Sequence, residues 1–217
     1  MRRLVAWNMM TLDGCFEGRT PWDLGFHETV WGDELQAFSL EQGTEIGTLL
    51  FGRRTYDGMA AYWSTVTGPV AEMMNSIEKA VASRTLDTAS RHNTRLPRGD
   101  AVEAVSELRA EAGKDVYVFG SADLLASLLA AGLVDEYRLR LVPVVLGQGN
   151  PLFKAQDREI GMRLEGARPL TAGGGDPDLC GGRVADGDTG SSDFPWAVAE
   201  LGALTQAVVL HCKTSVR

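Results

Sequence analysis

The feature that most constrains the fold is a repeated alternation of buried-strand patterns with helical patterns over residues 1–170. Runs of apolar, mostly β-type residues recur at Leu4–Met9, Thr48–Gly52, Ala80–Ser83 and Val116–Phe119. Segments in which apolar residues have a helical spacing separate these runs. Strand–helix alternation of this kind predicts an α/β fold in which a central, mainly parallel sheet is flanked by helices.

The segments between the predicted strands carry signals for helix ends. Four helices are predicted, over Glu28–Gln42, Pro69–Lys79, Asp100–Glu111 and Ala122–Ala131. Asp100 is placed to cap the third helix, and Gly132 follows the last residue of the fourth. A long β run over Glu136–Leu146 comes next, and Pro143 within it marks a bulge or a sheet edge.

Composition places the chain among ordinary globular proteins. Of its 217 residues, 44% are hydrophobic and 23% are charged, which suits one domain with an appendage. The net charge of −8 argues against a nucleic-acid partner or an anionic membrane, because both attract basic surfaces. No apolar run reaches the roughly 18 residues that span a bilayer, so we expect a cytoplasmic protein without a membrane segment.

Cysteine and histidine usage points away from disulfides and metals. The three cysteines form no CxxC pair. His27, His92 and His211 lie too far apart for a helical metal motif. We therefore expect neither a disulfide framework nor a metal site.

The amino-acid composition of the chain changes near residue 170. Residues 171–217 hold 8 of the 25 glycines, and the run from Gly173 to Asp193 is rich in residues that form turns. The sequence therefore predicts two parts, a domain over residues 1–170 and an atypical Gly/Asp-rich tail over residues 171–217.

The codons behind this tail indicate how it arose. Read one base later, the codons of Gly174–Cys180 can encode Gly-Val-Ile-Leu-Thr-Tyr-Val, which is typical of an edge strand. We interpret the tail as the product of a frameshift in the gene or in its reading, and the alternative is a natural flexible tail. A frameshift predicts that residues 171–195 are irregular and that the sheet lacks its final strand.

Two segments combine the end of a predicted strand, a small residue and the start of a helix: Leu50–Thr55 and Val118–Leu124. Ligands of open α/β sheets lie at the carboxyl ends of strands, where helix N-termini bind phosphate groups. Arg53 and Arg54 add positive charge to the first segment. An ordinary strand-to-helix corner also explains each segment alone, and neither carries the dinucleotide motif GxGxxG or the phosphate-loop motif GxxxxGK[ST].

Two shorter segments follow other predicted strands. Ser83-Arg84-Thr85 offers hydroxyls and a guanidinium to a phosphate monoester such as the 2′-phosphate of NADPH, and a solvated turn has the same composition. Thr11–Gly14, after the first strand, is typical of a tight turn in which Asp13 is the hydrogen-bonding residue.

In this order and spacing, the segments resemble the dihydrofolate-reductase-like family. The chain is most similar to the reductase domain of the bifunctional riboflavin-biosynthesis deaminase–reductase and to its free-standing bacterial relatives. The similarity covers about residues 2–170. It rests on Thr11–Gly14, Leu50–Tyr56, Val81–Thr85, Val118–Ala122, Leu133–Glu136, and Pro143–Gly147 with Gly149 and Pro151–Phe153.

The resemblance implies a three-layer fold with a central, mostly parallel mixed sheet flanked by helices. It also implies an NADPH-dependent reductase that transfers a hydride to a pterin-, pyrimidine- or related heterocyclic substrate, and a homodimer. The cofactor residues that it implies are Gly52, Arg53, Arg54 and Thr55 at the phosphates, Ser83 and Arg84 at the adenosine phosphate, and Gly120, Ser121, Ala122 and Leu124 under the pyrophosphate and nicotinamide. Asn8 and Trp22 are implied on the substrate side.

The catalytic residue stays open at this stage. Dihydrofolate reductases have a proline–tryptophan loop followed by a buried acid on a helix, and Pro21-Trp22 matches that loop. The acid can be Asp23 or Glu28, with His27 between them, and Asp13 is a further candidate. A second hypothesis is a nucleotide-binding module that has the same fold and no catalytic activity.

Cofactor preference tests the implied phosphate site, because NADPH differs from NADH by one phosphate monoester. We expect a clear preference for NADPH. We also expect Arg53→Ala to weaken NADPH binding about 10- to 150-fold, which corresponds to ~1.5–3 kcal/mol of charge-assisted hydrogen bonding. NADH binding should stay nearly unchanged. Titration of nicotinamide fluorescence measures both affinities, and equal losses would mean that Arg53 holds the shared pyrophosphate or only the fold.

Overall fold

A computed structural model describes residues 1–171 and 206–214, which are built around a central β-sheet. Within these ranges the strands, in chain order, are β1 (Leu4–Thr11), β2 (Cys15–Glu17), β3 (Ile46–Gly52), β4 (Glu78–Ala82), β5 (Thr94–Arg95), β6 (Asp115–Val118), β7 (Glu136–Val142), β8 (Asn150–Pro151), β9 (Met162–Thr171) and β10 (Gln206–Thr214). Eight of these strands form one sheet in the order β5-β4-β3-β6-β1-β7-β10-β9, and β2 pairs with β8 in a small second sheet.

The strand directions divide the large sheet into two parts. The six strands from β5 to β7 run parallel, whereas β10 is antiparallel to both β7 and β9. Parallel neighbours need long crossover connections, which the helices between the strands supply. The predicted mostly parallel mixed sheet is confirmed.

Two of the helix ends coincide with the cap residues that the sequence predicts, Asp100 and Gly132. The helices are a short 3-10 helix (Gly25–Val30), α1 (Asp33–Gly43), α2 (Arg53–Trp63), α3 (Pro69–Ser76), α4 (Ala101–Ala110) and α5 (Ala122–Ala130). The Asp100 carboxylate caps α4 by accepting a hydrogen bond from the Val102 N–H at 2.8 Å. Gly132, with φ of +69°, follows the end of α5. No helix in the described ranges is long and apolar enough to cross a membrane.

Helices cover both faces of the sheet and make three layers. On one face, Leu108 of α4 and Leu128 of α5 pack against strand residues that include Leu50. On the other face, Met74 of α3 shares a buried cluster with residues of β1 and β3, and Phe38 of α1 shares another with residues of β1 and β7. Each strand in the middle of the sheet is therefore buried on both sides, which explains its nearly continuous apolar sequence.

Two predicted helices have different bounds in the structure. The predicted helix over Glu28–Gln42 is divided into the 3-10 helix and α1, because Gly32 between them has an extended backbone. The predicted helix over Pro69–Lys79 ends at Ser76, and Lys79 instead pairs with Leu49 as part of β4. Pairing with a neighbouring strand outweighs the local helical spacing here.

The tail supplies one strand of the large sheet. β10 lies between β7 and β9, where Leu210 is opposite Leu139 on one side and Ala167 on the other. The prediction of a sheet without its final strand is therefore wrong, because the β-rich run around Leu210 forms that strand. The predicted frameshifted strand at 174–180 and nearly all of the segment predicted to be irregular, residues 172–195, lie outside the described residues, so the frameshift remains a hypothesis.

The apolar residues of β7 are covered within the chain itself. Tyr137 and Leu139 pack in the core beneath α4 and α5, and Val142 packs in the core on the other face. Arg138 and Arg140 are buried as well. The apolar residues of β7 thus need no partner chain to cover them, and the homodimer stays a prediction that rests on the resemblance.

Core packing on the α5 side predicts a clear difference between two leucine substitutions. Leu128 is fully buried, whereas 58% of Leu164 is exposed on β9. Leu128→Ala should lower the free energy of unfolding by about 2–5 kcal/mol, because it removes buried methyl groups and leaves a cavity. Leu164→Ala should change it by less than about 0.5 kcal/mol. Urea denaturation measures both, and similar losses for the two variants would contradict this description of the core.

Candidate functional site

A cleft of ≈870 Å³ opens at the carboxyl ends of the central parallel strands. Gly52 ends β3, Ala82 ends β4, and Phe119 follows the last residue of β6; all three line the cleft. The residues implied for a cofactor are brought together in its wall: Gly52, Arg53, Arg54, Thr55, Ser83, Arg84, Gly120, Ser121, Ala122 and Leu124. Asn8 and Trp22, implied on the substrate side, line it too. Their assignment to cofactor and substrate remains a prediction.

The two strand–glycine–helix corners are joined by a serine hydroxyl. Ser121 Oγ accepts a hydrogen bond from the Gly52 N–H at 2.8 Å and donates one to Thr55 Oγ1 at 2.8 Å. A Cβ on Gly120 would lie 3.1 Å from the Thr55 methyl group, closer than ordinary van der Waals contact. Glycine at position 120 therefore allows the two corners to pack directly against each other.

The second corner has an unusual backbone conformation. Gly120 and Ser121 are both left-handed, with φ of +53° and +57°. This conformation costs a non-glycine residue such as Ser121 about 1–2 kcal/mol. The Asn8 side chain supports the turn by accepting a hydrogen bond from the Gly120 N–H at 2.6 Å. The turn leads directly into α5, whose first residue lines the cleft, so the unpaired N–H groups of that helix start lie at the cleft wall.

Three arginines in the cleft wall differ in how far their charge is already neutralised. Arg53 donates a hydrogen bond to Asp57 at 2.7 Å, one turn along α2. Arg54 lies 3.6 Å from the Glu17 carboxylate. Arg84 is exposed, and no carboxylate of the described residues lies within ion-pair distance of it. Its neighbour Ser83 holds the turn by accepting a hydrogen bond from the Leu86 N–H at 3.1 Å. Of these three arginines, Arg84 is therefore the one best placed to bind an external anion.

Sequence reasoning missed Glu17, a carboxylate in the cleft wall that is only 8% exposed. It accepts hydrogen bonds from the Trp22 N–H at 2.6 Å and from Asn150 Nδ2 at 2.9 Å. Trp22 has a left-handed backbone with φ of +68°, and its ring lies so close to Gly58 that a Cβ there would be 2.3 Å from it. Glu17 thus holds the proline–tryptophan loop at the rim of the cleft.

The three carboxylates considered as catalytic candidates do not line the cleft. Asp13 accepts hydrogen bonds from Thr11 Oγ1 at 2.5 Å and from the Gly147 N–H at 2.8 Å, and the Thr11 bond is the main reason that its pKa is lowered. This is the turn-forming role that its motif also predicts. Asp23 and Glu28 are exposed, whereas His27, the residue between them, lines the cleft.

Buried nitrogen atoms of four cleft residues lack partners among the described residues, and sequence reasoning missed two of these residues, Trp7 and Arg140. Trp7 Nε1, Asn8 Nδ2, His27 Nε2 and Arg140 Nε are buried, and none has a hydrogen-bond partner among the described residues. All four residues line the cleft. A local sequence signal for Trp7 and Arg140 did not exist, because their proximity depends on the pairing of β1 with β7. The cleft wall also includes the aromatic residues Phe16 and Trp31. No group of three or more potential metal ligands occurs among the described residues.

The serine bridge predicts a local change in backbone protection. In Ser121→Ala the half-buried Gly52 N–H loses its acceptor, at a cost of about 1–3 kcal/mol, so its hydrogen exchange should become about 5- to 150-fold faster. Ser127→Ala is the control, because it removes a hydroxyl from the same helix that bonds to Asp123 instead. Amide hydrogen exchange followed by NMR measures the exchange rate of the Gly52 N–H in both variants. Equal exchange rates at Gly52 in both variants would show that the bridge does not hold the two corners together.

Comparison with known proteins places the fold and the family. Residues 2–173 match the family model of the RibD C-terminal domain. The uncharacterized protein YyaP of Bacillus subtilis (strain 168) is 30% identical over 185 residues, which cover 79% of this chain and 91% of YyaP. The uncharacterized protein YwjB of the same strain is 27% identical over 123 residues, which cover 57% of this chain and 67% of YwjB.

Two solved structures share the fold at low sequence identity. The crystal structure of a "Putative riboflavin biosynthesis protein" from Shewanella sp. PV-4 has a TM-score of 0.67 and 16% identity, and the alignment covers 99% of each chain. Dihydrofolate reductase from Enterococcus faecalis, complexed with NADP(H) and RAB-propyl, has a TM-score of 0.57 and 14% identity over 99% of this chain and 97% of that one. The sheet order, the covering helices and these structural matches show that the chain has the dihydrofolate-reductase-like fold. Because the family model matches residues 2–173, the chain belongs to the RibD C-terminal domain family.

Proposed function

We propose that the protein is an NADPH-dependent reductase that transfers a hydride to a pterin-, pyrimidine- or related heterocyclic substrate. The observation that carries this proposal is the cleft, in which two helix starts and three arginines lie at the ends of β4, β3 and β6 beside an aromatic-lined region at β1. Family membership and the fold shared with a reductase complexed with NADP(H) support it.

The phosphate side of the cleft fits a dinucleotide that carries an additional phosphate. The α2 and α5 starts offer backbone N–H groups, and the close packing at Gly52 and Gly120 brings these two helix starts together at the cleft wall. Arg84 adds a guanidinium without a carboxylate partner among the described residues. Because salt screens charges beyond about 8–10 Å, this local group outweighs the distant charges that make the chain acidic.

NADPH, when bound, would supply the hydride, so this chain's residues need only position the two ligands and keep water out. In this arrangement Ser121 and Asn8 fix the loop on which the reacting ring would rest. Glu17 fixes the Trp22 loop that would cover it. Both supporting side chains, Asn8 and Glu17, are buried and hydrogen-bonded to the loops that they hold.

The alternative is a nucleotide-binding module that has kept the fold and lost catalysis. It is favoured by one observation, that Asp13, Asp23 and Glu28 all lie outside the cleft lining. Steady-state oxidation of NADPH with pterin and pyrimidine substrates distinguishes the two functions, because a pure binding module would bind NADPH and turn nothing over.

Arg84 gives the sharpest test of cofactor binding. We expect Arg84→Ala to weaken NADPH binding about 10- to 150-fold, since a charge-assisted bond to phosphate contributes ~1.5–3 kcal/mol, and to leave NADH binding nearly unchanged. Arg98→Ala is the matched control, because Arg98 is also exposed, carries the same charge and does not line the cleft. Nicotinamide fluorescence titration measures all four affinities.

Two results would count against the proposal. One is the absence of NADPH binding by the unmodified chain at millimolar concentration. The other is an equal effect of the Arg84 and Arg98 substitutions on NADPH affinity, which would reduce the role of Arg84 to a general change in net charge.

A further inference from the structure

The guanidinium of Arg140 is buried between two aromatic rings in the deep part of the cleft. Arg140 is only 5% exposed. Its guanidinium carbon lies 4.3 Å from the centre of the Trp7 ring and 5.2 Å from the centre of the Phe38 ring. Arg140 Nη2 donates a long hydrogen bond of 3.3 Å to Ser39 Oγ. Arg140 Nε has no partner within the described part of the chain. The aromatic faces stabilise the cation only partly.

Other buried arginines in the described ranges are held by a carboxylate. Arg109 lies 2.6 Å from Asp135, Arg138 lies 2.5 Å from Glu136, and Arg2 lies 3.9 Å from Glu111. For Arg140 the structure shows no such partner among residues 1–171 and 206–214. Burial lowers its pKa to about 9, which still leaves it charged at neutral pH. A buried charge without a counter-ion is costly, and a ligand anion would remove that cost.

Two further nitrogen atoms beside Arg140 also lack partners among the described residues. They are the indole Nε1 of Trp7 and the imidazole Nε2 of His27. Burial, and then the charge of Arg140, lower the pKa of His27 to about 4, so the imidazole is neutral at neutral pH. The indole N–H and the guanidinium N–H are donors without acceptors, and a ligand that satisfies them must supply acceptor atoms.

The position of Arg140 separates it from the residues that would hold the cofactor. Arg140 is on β7, opposite Met9 of β1, whereas the phosphate-side residues follow β4, β3 and β6 on the other side of β1. Arg140, Trp7 and His27 nevertheless line the same cleft as those residues. An acceptor group at Arg140 would therefore belong to the second ligand in the cleft.

Resting on the reductase function proposed above, we propose that the substrate is a planar heterocycle bearing an ionised oxygen group, a carboxylate or a ring oxyanion, which binds Arg140 and the Trp7 indole N–H. A planar guanidinium matches the two oxygen atoms of a carboxylate with parallel hydrogen bonds, and it can also donate to the single oxygen of a ring oxyanion. The rings of Trp7, Trp22 and Trp31 in the cleft wall fit a flat molecule. A neutral carbonyl would accept hydrogen bonds from these donors but would leave the charge without a counter-ion.

Binding of orotate and uracil to the full chain, without NADPH, tests this inference. The two probes share a pyrimidinedione ring, and only orotate carries a carboxylate. We expect orotate to bind about 10- to 150-fold more tightly than uracil, as a charge-assisted pair to a buried guanidinium implies. Isothermal titration calorimetry measures both affinities. Equal affinities in the unmodified protein would overturn the proposal.

Two arginine substitutions show whether Arg140 is responsible. Arg140→Gln should make the affinities for orotate and uracil nearly equal, and its melting temperature should not fall, because the substitution removes an uncompensated buried charge. Arg168→Gln is the control, since Arg168 lies over the same Phe38 ring at 5.5 Å and does not line the cleft. It should keep the preference for orotate. A preference that survives in Arg140→Gln would overturn the proposal.

An NMR measurement on the unmodified protein does not depend on the folding of a variant. Orotate should shift the cross-peaks of the Trp7 indole N–H and the Arg140 Nε–H, and uracil should shift them much less. If orotate shifts other resonances but leaves both of these cross-peaks in place, the carboxylate binds elsewhere and the proposal is overturned.

Competition with NADPH distinguishes a substrate anion from a cofactor phosphate. Orotate should bind equally well to the protein saturated with NADPH, and displacement of orotate by NADPH would overturn the assignment of Arg140 to the substrate. If NADPH does not bind at all while the orotate preference depends on Arg140, the reductase function fails and the anion site stands. If NADPH binds and turns over neutral substrates without any orotate preference, the anion site fails and the reductase function stands.

Discussion

The parallel pairing of β1 with β6 on one side and β7 on the other is the interaction on which the cleft depends. β1 is in register with β6 from Leu4 to Ala6 and with β7 from Val5 to Thr11. Because side chains alternate along a strand, Trp7 and Asn8 lie on opposite faces of the sheet. Asn8 therefore supports the Gly120 turn, while Trp7 stacks on the guanidinium of Arg140. A shift of one residue in this pairing would exchange the two faces and remove both contacts.

Much of the fold and of the phosphate side could be predicted from the sequence because the signals there are local. A strand that ends in glycine and continues as a helix is contained within a few residues, as at Leu50–Thr55. The tail shows the opposite case: whether its apolar run forms a strand depends on the unpaired edges of β7 and β9, which no local pattern records. Pairing across the sheet is also the reason that the helix predicted over Pro69–Lys79 ends at Ser76.

The deep part of the cleft could not be predicted for a related reason. Glu17 and Arg140 are ordinary charged residues in their local sequence, and an alternating strand with charged residues usually exposes them. Their burial follows from helices and loops far along the chain that cover them, such as α1 over Arg140 and the Trp22 loop over Glu17. The difference between the paired Arg138 and the unpaired Arg140, two positions apart on one strand, is visible only when the neighbouring elements are in place.

The position of β10 has a consequence for how the protein is made. Among the described strands β10 is the last in chain order, yet it lies inside the sheet, between β7 and β9. While the ribosome is still adding these residues, β7 has an open edge of unpaired backbone N–H and C=O groups, and β9 has no strand to join it to the sheet. Such edges pair readily with other chains, and contacts between distant segments form slowly. The nascent chain thus exposes these edges to aggregation until β10 has been synthesised, and the sheet is completed only when β10 pairs with both strands.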